Sequence, residues 1–148
     1  IMEKIFCLLF AIVGGIAAAV QSPVNSGLGK RIGTMEAGFV SFLVGTIVLA
    51  VLVFVFGKGS LSGIIHAPKW QLIGGVLGVV AVLSVIVATP KLGVGITLVA
   101  IILGQVAMGL VIDHFGLLQT PPVPLSPSRI IGVLLIAAGV VLVFKSKI

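Results

Sequence analysis

Residues 93–116 read GVGITLVAIILGQVAMGLVIDHFG, and their first twenty positions, 93–112, carry no charge. As α-helix, twenty residues rise about 30 Å, the thickness of a bilayer's hydrocarbon core. One amide, Gln105, stands near the middle of the run, and Asp113 and His114 close it. The segment is therefore able to cross a membrane. It takes one hydrogen-bonding side chain into the apolar phase and returns to water at an acid–imidazole pair.

The rest of the chain has the same character. Of its 148 residues 59% are hydrophobic and 8% are charged, with mean hydropathy +1.42. A soluble domain carries about a quarter charged residues, so too little polar surface is present to cover a water-soluble globule. A membrane β-barrel is excluded as well, because its strands alternate polar and apolar residues, whereas these runs are continuous. The fold class is an all-α integral membrane protein. The net charge of +6 comes from basic residues standing singly or in pairs at the ends of apolar runs. That is the placement of membrane-flanking anchors rather than of a nucleic-acid surface. The single cysteine, Cys7, has no internal disulfide partner and reads as a small filler facing lipid or a neighbouring helix.

Five spans are expected, at residues 5–22, 36–56, 70–89, 93–112 and 129–144, in one membrane domain covering 1–148. Ile1 ahead of Met2 reads as an upstream remnant. The opening run also has the outline of a signal peptide, but the remainder is equally hydrophobic and its small residues recur at helix-packing spacing. Gly14 and Gly15 pair with Ala18 and Ala19 one turn on, and Gly74, Gly75 and Gly78 form a second small-residue face. Gly104 adds another small position beside Gln105. Pro23 with the glycines up to Gly33 signals a break after the first span. The stretch Pro90-Lys91-Leu92-Gly93 reads as a tight turn that makes spans three and four antiparallel neighbours. Four prolines between Gln119 and Ser128 predict a stiff, extended connection to the last span.

Few residues carry chemistry. Gln105 needs a partner, because an unpaired amide in hydrocarbon costs about 4–8 kcal/mol; an interhelical hydrogen bond and a bound solute both supply one. Gln21 and Asn25 lie four apart and stack on one helix face if the helix persists past Pro23. They read either as helix-end polarity or as the polar lip of a cavity. Glu36 sits where a helix dipole favours an anion, and Asp113 and His114 form an interfacial turn. These three are the only candidates for coupling or gating. Ser41 and Thr46 are able to satisfy themselves on their own backbone carbonyls. No set of side chains has metal-ligand spacing or pairs a nucleophile with a base, so neither an enzyme nor a cofactor is expected.

Five spans place the termini on opposite sides. With the N-terminus inside, Lys4, Lys58, Lys69 and Arg129 lie inside, and Lys30, Arg31, Lys91, Lys145 and Lys147 outside. Orientation follows the excess of Lys and Arg in short loops, and a difference of one decides little. Insertion in both orientations, with pairing of inverted copies, accounts for the balance; a partner subunit or a weak N-outside preference accounts for it too. Many transporters consist of two inverted repeats with the solute site between them near the midplane. A single five-span unit is suited to make such a pair with itself.

In order along the chain stand Gln21, Asn25-x-x-Leu28-Gly29, Phe42-Leu43-Val44-Gly45-Thr46, Trp70, Gly74-Gly75-x-x-Gly78, Pro90-Lys91-Leu92-Gly93, Gly104-Gln105, Asp113-His114-Phe115-Gly116 and Arg129-x-x-Gly132. This string resembles the YdcZ-like family of the drug/metabolite transporter superfamily. The resemblance implies a half-size, five-helix protein of the bacterial inner membrane, similar to one repeat of the ten-helix, inverted-repeat members. It does not supply a substrate. The four-helix small multidrug exporters of that superfamily carry a buried glutamate in their first span. No acid occupies the apolar part of the first span here, so proton-coupled cation antiport does not carry over. A site formed by Gln105, Gln21 and Asn25 suits a neutral or anionic solute. The leading expectation is a secondary transporter working as an antiparallel homodimer in the lipid bilayer. A dual-topology ion channel is the alternative, although its pore would need more polar lining than these spans offer. An accessory subunit without transport of its own is the third.

Overall fold

The computed structural model describes residues 2–146. Ile1, read above as an upstream remnant, and Lys147, one of the flanking charges, lie outside them. Five helices carry the chain: α1 Met2–Ile32, α2 Thr34–Phe56, α3 Ile73–Leu92, α4 Val94–Phe115 and α5 Pro127–Lys145. All five are long and apolar enough to cross a membrane; the third counts from Lys69, through a short 3-10 turn at Lys69–Leu72. Among the described residues there is no β-strand.

α1 does not break at Pro23. It continues for a further nine residues to Ile32. A proline removes one helical N–H, but hydrocarbon offers no alternative partner for the groups that unwinding would release, so a membrane helix tolerates the loss and runs on. The same holds in α3, where Pro90 lies inside the last turn. Single glycines then separate the helices. Gly33 (φ 106°, ψ 153°) joins α1 to α2, and Gly93 (φ 86°, ψ 161°) precedes α4. Both conformations lie in a region that side-chain-bearing residues rarely adopt.

The chain divides into two compact units, one ending at Lys91 and the other beginning at Leu92. In the first, α1, α2 and α3 pack through small and hydroxyl-bearing residues. Ser22 and Thr89 are buried, and their hydroxyl oxygens lie 2.7 Å apart in a hydrogen bond between α1 and α3. Ser26 donates more weakly to the Val85 carbonyl at 3.5 Å. Gly29 lets Ile86 approach so closely that a Cβ there would meet its Cγ2 at 2.7 Å, and Gly38 admits Leu83 in the same way at 2.9 Å. The buried side chains Ser22, Asn25, Ser26, Ala37, Ile86 and Thr89 all fall within about three turns of the Gly33 and Lys91 helix ends. The large apolar side chains point outward, Phe6, Phe10, Phe39 and Leu49 among them. Lipid solvates such surface as well as another helix would, so close backbone approach and hydrogen bonds, rather than hydrophobic burial, hold membrane helices together. Cys7 is exposed on the N-terminal part of α1.

In the second unit α4 packs against α5. Thr97 is buried and donates to the Gly93 carbonyl at 2.8 Å, closing the first turn of α4. The helix extends past the apolar run through Asp113, His114 and Phe115, and stops at Gly116 in the left-handed conformation (φ 60°, ψ 38°). Leu118 and Gln119 also have positive φ, 56° and 65°. The prolyl stretch then returns toward α4, where Val123 N–H donates to the Asp113 carbonyl at 2.7 Å. Ser126 caps α5 by accepting from the Arg129 N–H at 3.4 Å, with Pro127 in the first turn.

Candidate functional site

The first unit holds a partly polar notch at mid-membrane depth. The polar side chains Gln21 of α1 and Ser41 and Thr46 of α2 line it together with Phe42, Gly45 and Leu49 of α2 and Val82 of α3, with a volume of about 220 Å³. Gln21 lies eleven residues before Ile32, Thr46 twelve after Thr34, and Val82 ten before Leu92. At the helical rise these are about 15–18 Å from the clustered helix ends, half the thickness of the hydrocarbon core. Thr46 donates to the Phe42 carbonyl at 2.8 Å, the self-satisfied state expected of it. The exposed Gln21 amide and the Ser41 hydroxyl make no hydrogen bond to other described residues, so both are open to a ligand. Asn25, one turn along α1 from Gln21, is 6% exposed and has no hydrogen-bond partner among the described residues. Gln21 and Asn25 thus share one face of a helix that persists past Pro23, the condition on which their pairing depends.

Gln105 lies near the midpoint of α4, in the other unit. It is exposed and makes no hydrogen bond to the described residues. Glu36 lies in the first turn of α2, where its carboxylate rests against Gly33 over the helix N-terminus. Asp113 is held in place twice. Its carboxylate accepts from Arg129 Nη1 at 3.3 Å, and its carbonyl accepts the Val123 and Gly116 N–H groups. Both side chains of the ion pair are more than a third exposed, so the pair clamps the loop rather than adding much stability. His114 packs edge-on to Phe115, with ring centroids 4.8 Å apart, beside a largely apolar hollow of about 280 Å³ between α4 and α5. Among the described residues no group of three His, Cys, Asp or Glu side chains is placed to hold a metal ion.

Of the small positions expected at helix contacts, Gly78 meets Phe42, whereas a methyl group added at Gly14, Gly15, Gly74, Gly75 or Gly104 would meet no neighbour within 4 Å. Four residues gain roles that the sequence does not assign: Ser41 lines the notch, Ser22 and Thr89 join α1 to α3, and Arg129 pairs with Asp113. A hydroxyl in an apolar run gives no sign of whether it bonds its own backbone or a distant helix, and the partners here lie 67 residues apart.

No curated protein and no solved structure matches this chain. A family model described as "Putative inner membrane exporter, YdcZ" matches residues 6–142, which takes in nearly all of the five helices. With most of its length matched, and with five helices able to cross a membrane, the chain belongs to the YdcZ family and is a multi-pass inner-membrane protein of transporter type.

Proposed function

We propose that the chain is a secondary transporter that moves a small neutral or anionic solute by alternating access, working as a pair of inverted copies. The observation that carries this reading is the polar notch at mid-membrane depth, where Gln21 and Ser41 present unbonded polar groups. A polar side chain in hydrocarbon must find a partner, and a solute that crosses the membrane is such a partner. Solute sites in inverted-repeat transporters lie at this depth. Gln105, at mid-span in the other unit, makes no hydrogen bond to the described residues and is by itself a further amide able to meet a solute. No charged side chain lines the notch, which favours solutes that hydrogen-bond over cations that need a carboxylate. The inverted pair draws further support from the nearly balanced flanking charges and from the glycine positions left without neighbours in one chain.

The test is a thermal-shift screen of the purified full chain against small neutral and anionic solutes, run in parallel on Gln21→Leu and Gln105→Leu. The expected result is a solute that raises the wild-type melting temperature and fails to do so for Gln21→Leu. Equal stabilisation of both proteins would remove the notch as the binding site. Counterflow in proteoliposomes with the same solute then distinguishes carrier from channel, since only a carrier exchanges labelled for unlabelled solute at a saturable rate.

A further inference from the structure

The ends of α1 and α3 and the start of α2 enclose a second notch, of about 320 Å³. Ser26, Gly29, Lys30, Thr34, Pro90 and Lys91 line it. Lys30 is two residues from the end of α1 and Lys91 one residue from the end of α3, so the notch sits where the helices leave the hydrocarbon. Arg31 adds a third cation at the same end. The acid of this region, Glu36, is folded against Gly33. The Thr34 hydroxyl makes no hydrogen bond to other described residues.

A lysine beside a helix C-terminus complements the helix dipole, and one such charge per helix end is ordinary. Lys30 and Lys91, each at the end of its own helix, fit that reading. It does not account for what lies next to the notch. An apolar groove of about 220 Å³ runs between α2 and α3, lined by Met35, Gly38, Phe39, Phe42, Val79 and Leu83. Gly38 stands one turn beyond Thr34 on α2, and Leu83 one turn before Val87, another notch residue, on α3. Residues four apart share a helix face, so the groove continues the notch toward the membrane interior. Cations with a hydroxyl donor at headgroup depth, followed by an apolar channel, match the two ends of one molecule.

We infer that this is a binding site for an anionic phospholipid, with its phosphate between Lys30, Lys91 and Thr34 and an acyl chain along the α2–α3 groove. Lysine holds phosphate as a compact point charge with several donors. Basic notches between membrane helices recognise acidic lipid headgroups in the same manner.

The experiment follows thermal unfolding of the full chain in neutral micelles while phosphatidylglycerol, phosphatidylcholine or inorganic phosphate is added. Phosphatidylglycerol raises the melting temperature, and the other two do not. Lys30→Gln combined with Lys91→Gln weakens phosphatidylglycerol binding about thirtyfold, at about one decade of affinity per 1.4 kcal/mol. The same pair of changes at Lys58 and Lys69, in the α2–α3 connection, leaves it unchanged. An equal response to inorganic phosphate overturns the lipid assignment, because the groove would then contribute nothing. An equal loss in the Lys58 and Lys69 variant overturns the site in favour of general charge attraction. Native mass spectrometry of the wild type provides a readout independent of any variant: retention of phosphatidylglycerol over phosphatidylcholine supports the site, and equal retention overturns it.

Discussion

The Ser22–Thr89 pair shows how a polar contact can hold a mostly apolar protein. Both residues immediately precede a proline that lies within a continuing helix. The bond therefore ties α1 to α3 at the level where each has lost a backbone N–H. Replacing either residue by alanine leaves the other hydroxyl in a low-dielectric contact without its mate. Interhelical bonds of this kind are worth about 0.6–1.7 kcal/mol, and Ser22→Ala and Thr89→Ala are expected to cost about that much. A double-mutant cycle from unfolding in mixed micelles checks it: the double variant is to cost no more than either single one, and full additivity would show that the bond carries no energy. None of this is legible in the sequence, where Ser22 and Thr89 simply end their apolar runs. Asp113 is similar. It stands out as an interfacial acid, but its partner Arg129 lies across a prolyl loop whose return path no periodicity encodes.

At the level of elements, hydropathy locates each of the five helices, because twenty apolar residues in succession leave little choice in a bilayer. It places their ends less well. The sequence points to an α1 end near Pro23, on the rule that proline stops helices. That rule comes from water, where released backbone groups are solvated, and it weakens in lipid. The true stops are Gly33, before α2, and Gly93, before α4, both with positive φ. Gly33→Ala is expected to destabilise the protein by about 1–3 kcal/mol through backbone strain. Gly29→Val is expected to cost a similar amount for another reason, since its side chain collides with Ile86 and forces α1 from α3. Melting temperatures of the two variants test this. Gly14→Ala is the control, because nothing lies within 4 Å of its added methyl, and a Gly29→Val variant as stable as Gly14→Ala would mean that α1 and α3 do not pack tightly at this level.

For the molecule as a whole, composition settles membrane residence and the motif string its family, while the solute site is only half visible. Gln21 and Asn25 stand out as amides, but the depth of the notch and the place of Ser41 depend on how three helices pack, and no local pattern encodes that. If the pair of inverted copies is correct, two lysines added to the 57–68 connection fix one orientation, and two added beside Lys145 fix the other. Each biased protein alone is expected to lose pairing and transport, and co-expression of both to restore them; a biased protein fully active by itself would count against inverted pairing. The exposed Cys7 makes this geometry measurable without altering the chain. As the one thiol present, five residues from Met2, it marks a single end of α1. Inverted copies hold their sulfurs in opposite leaflets, roughly 30 Å apart, beyond the reach of any disulfide. A spin label on that atom therefore reports one long distance per dimer, and an oxidant that readily joined the two sulfurs would reveal copies standing the same way up.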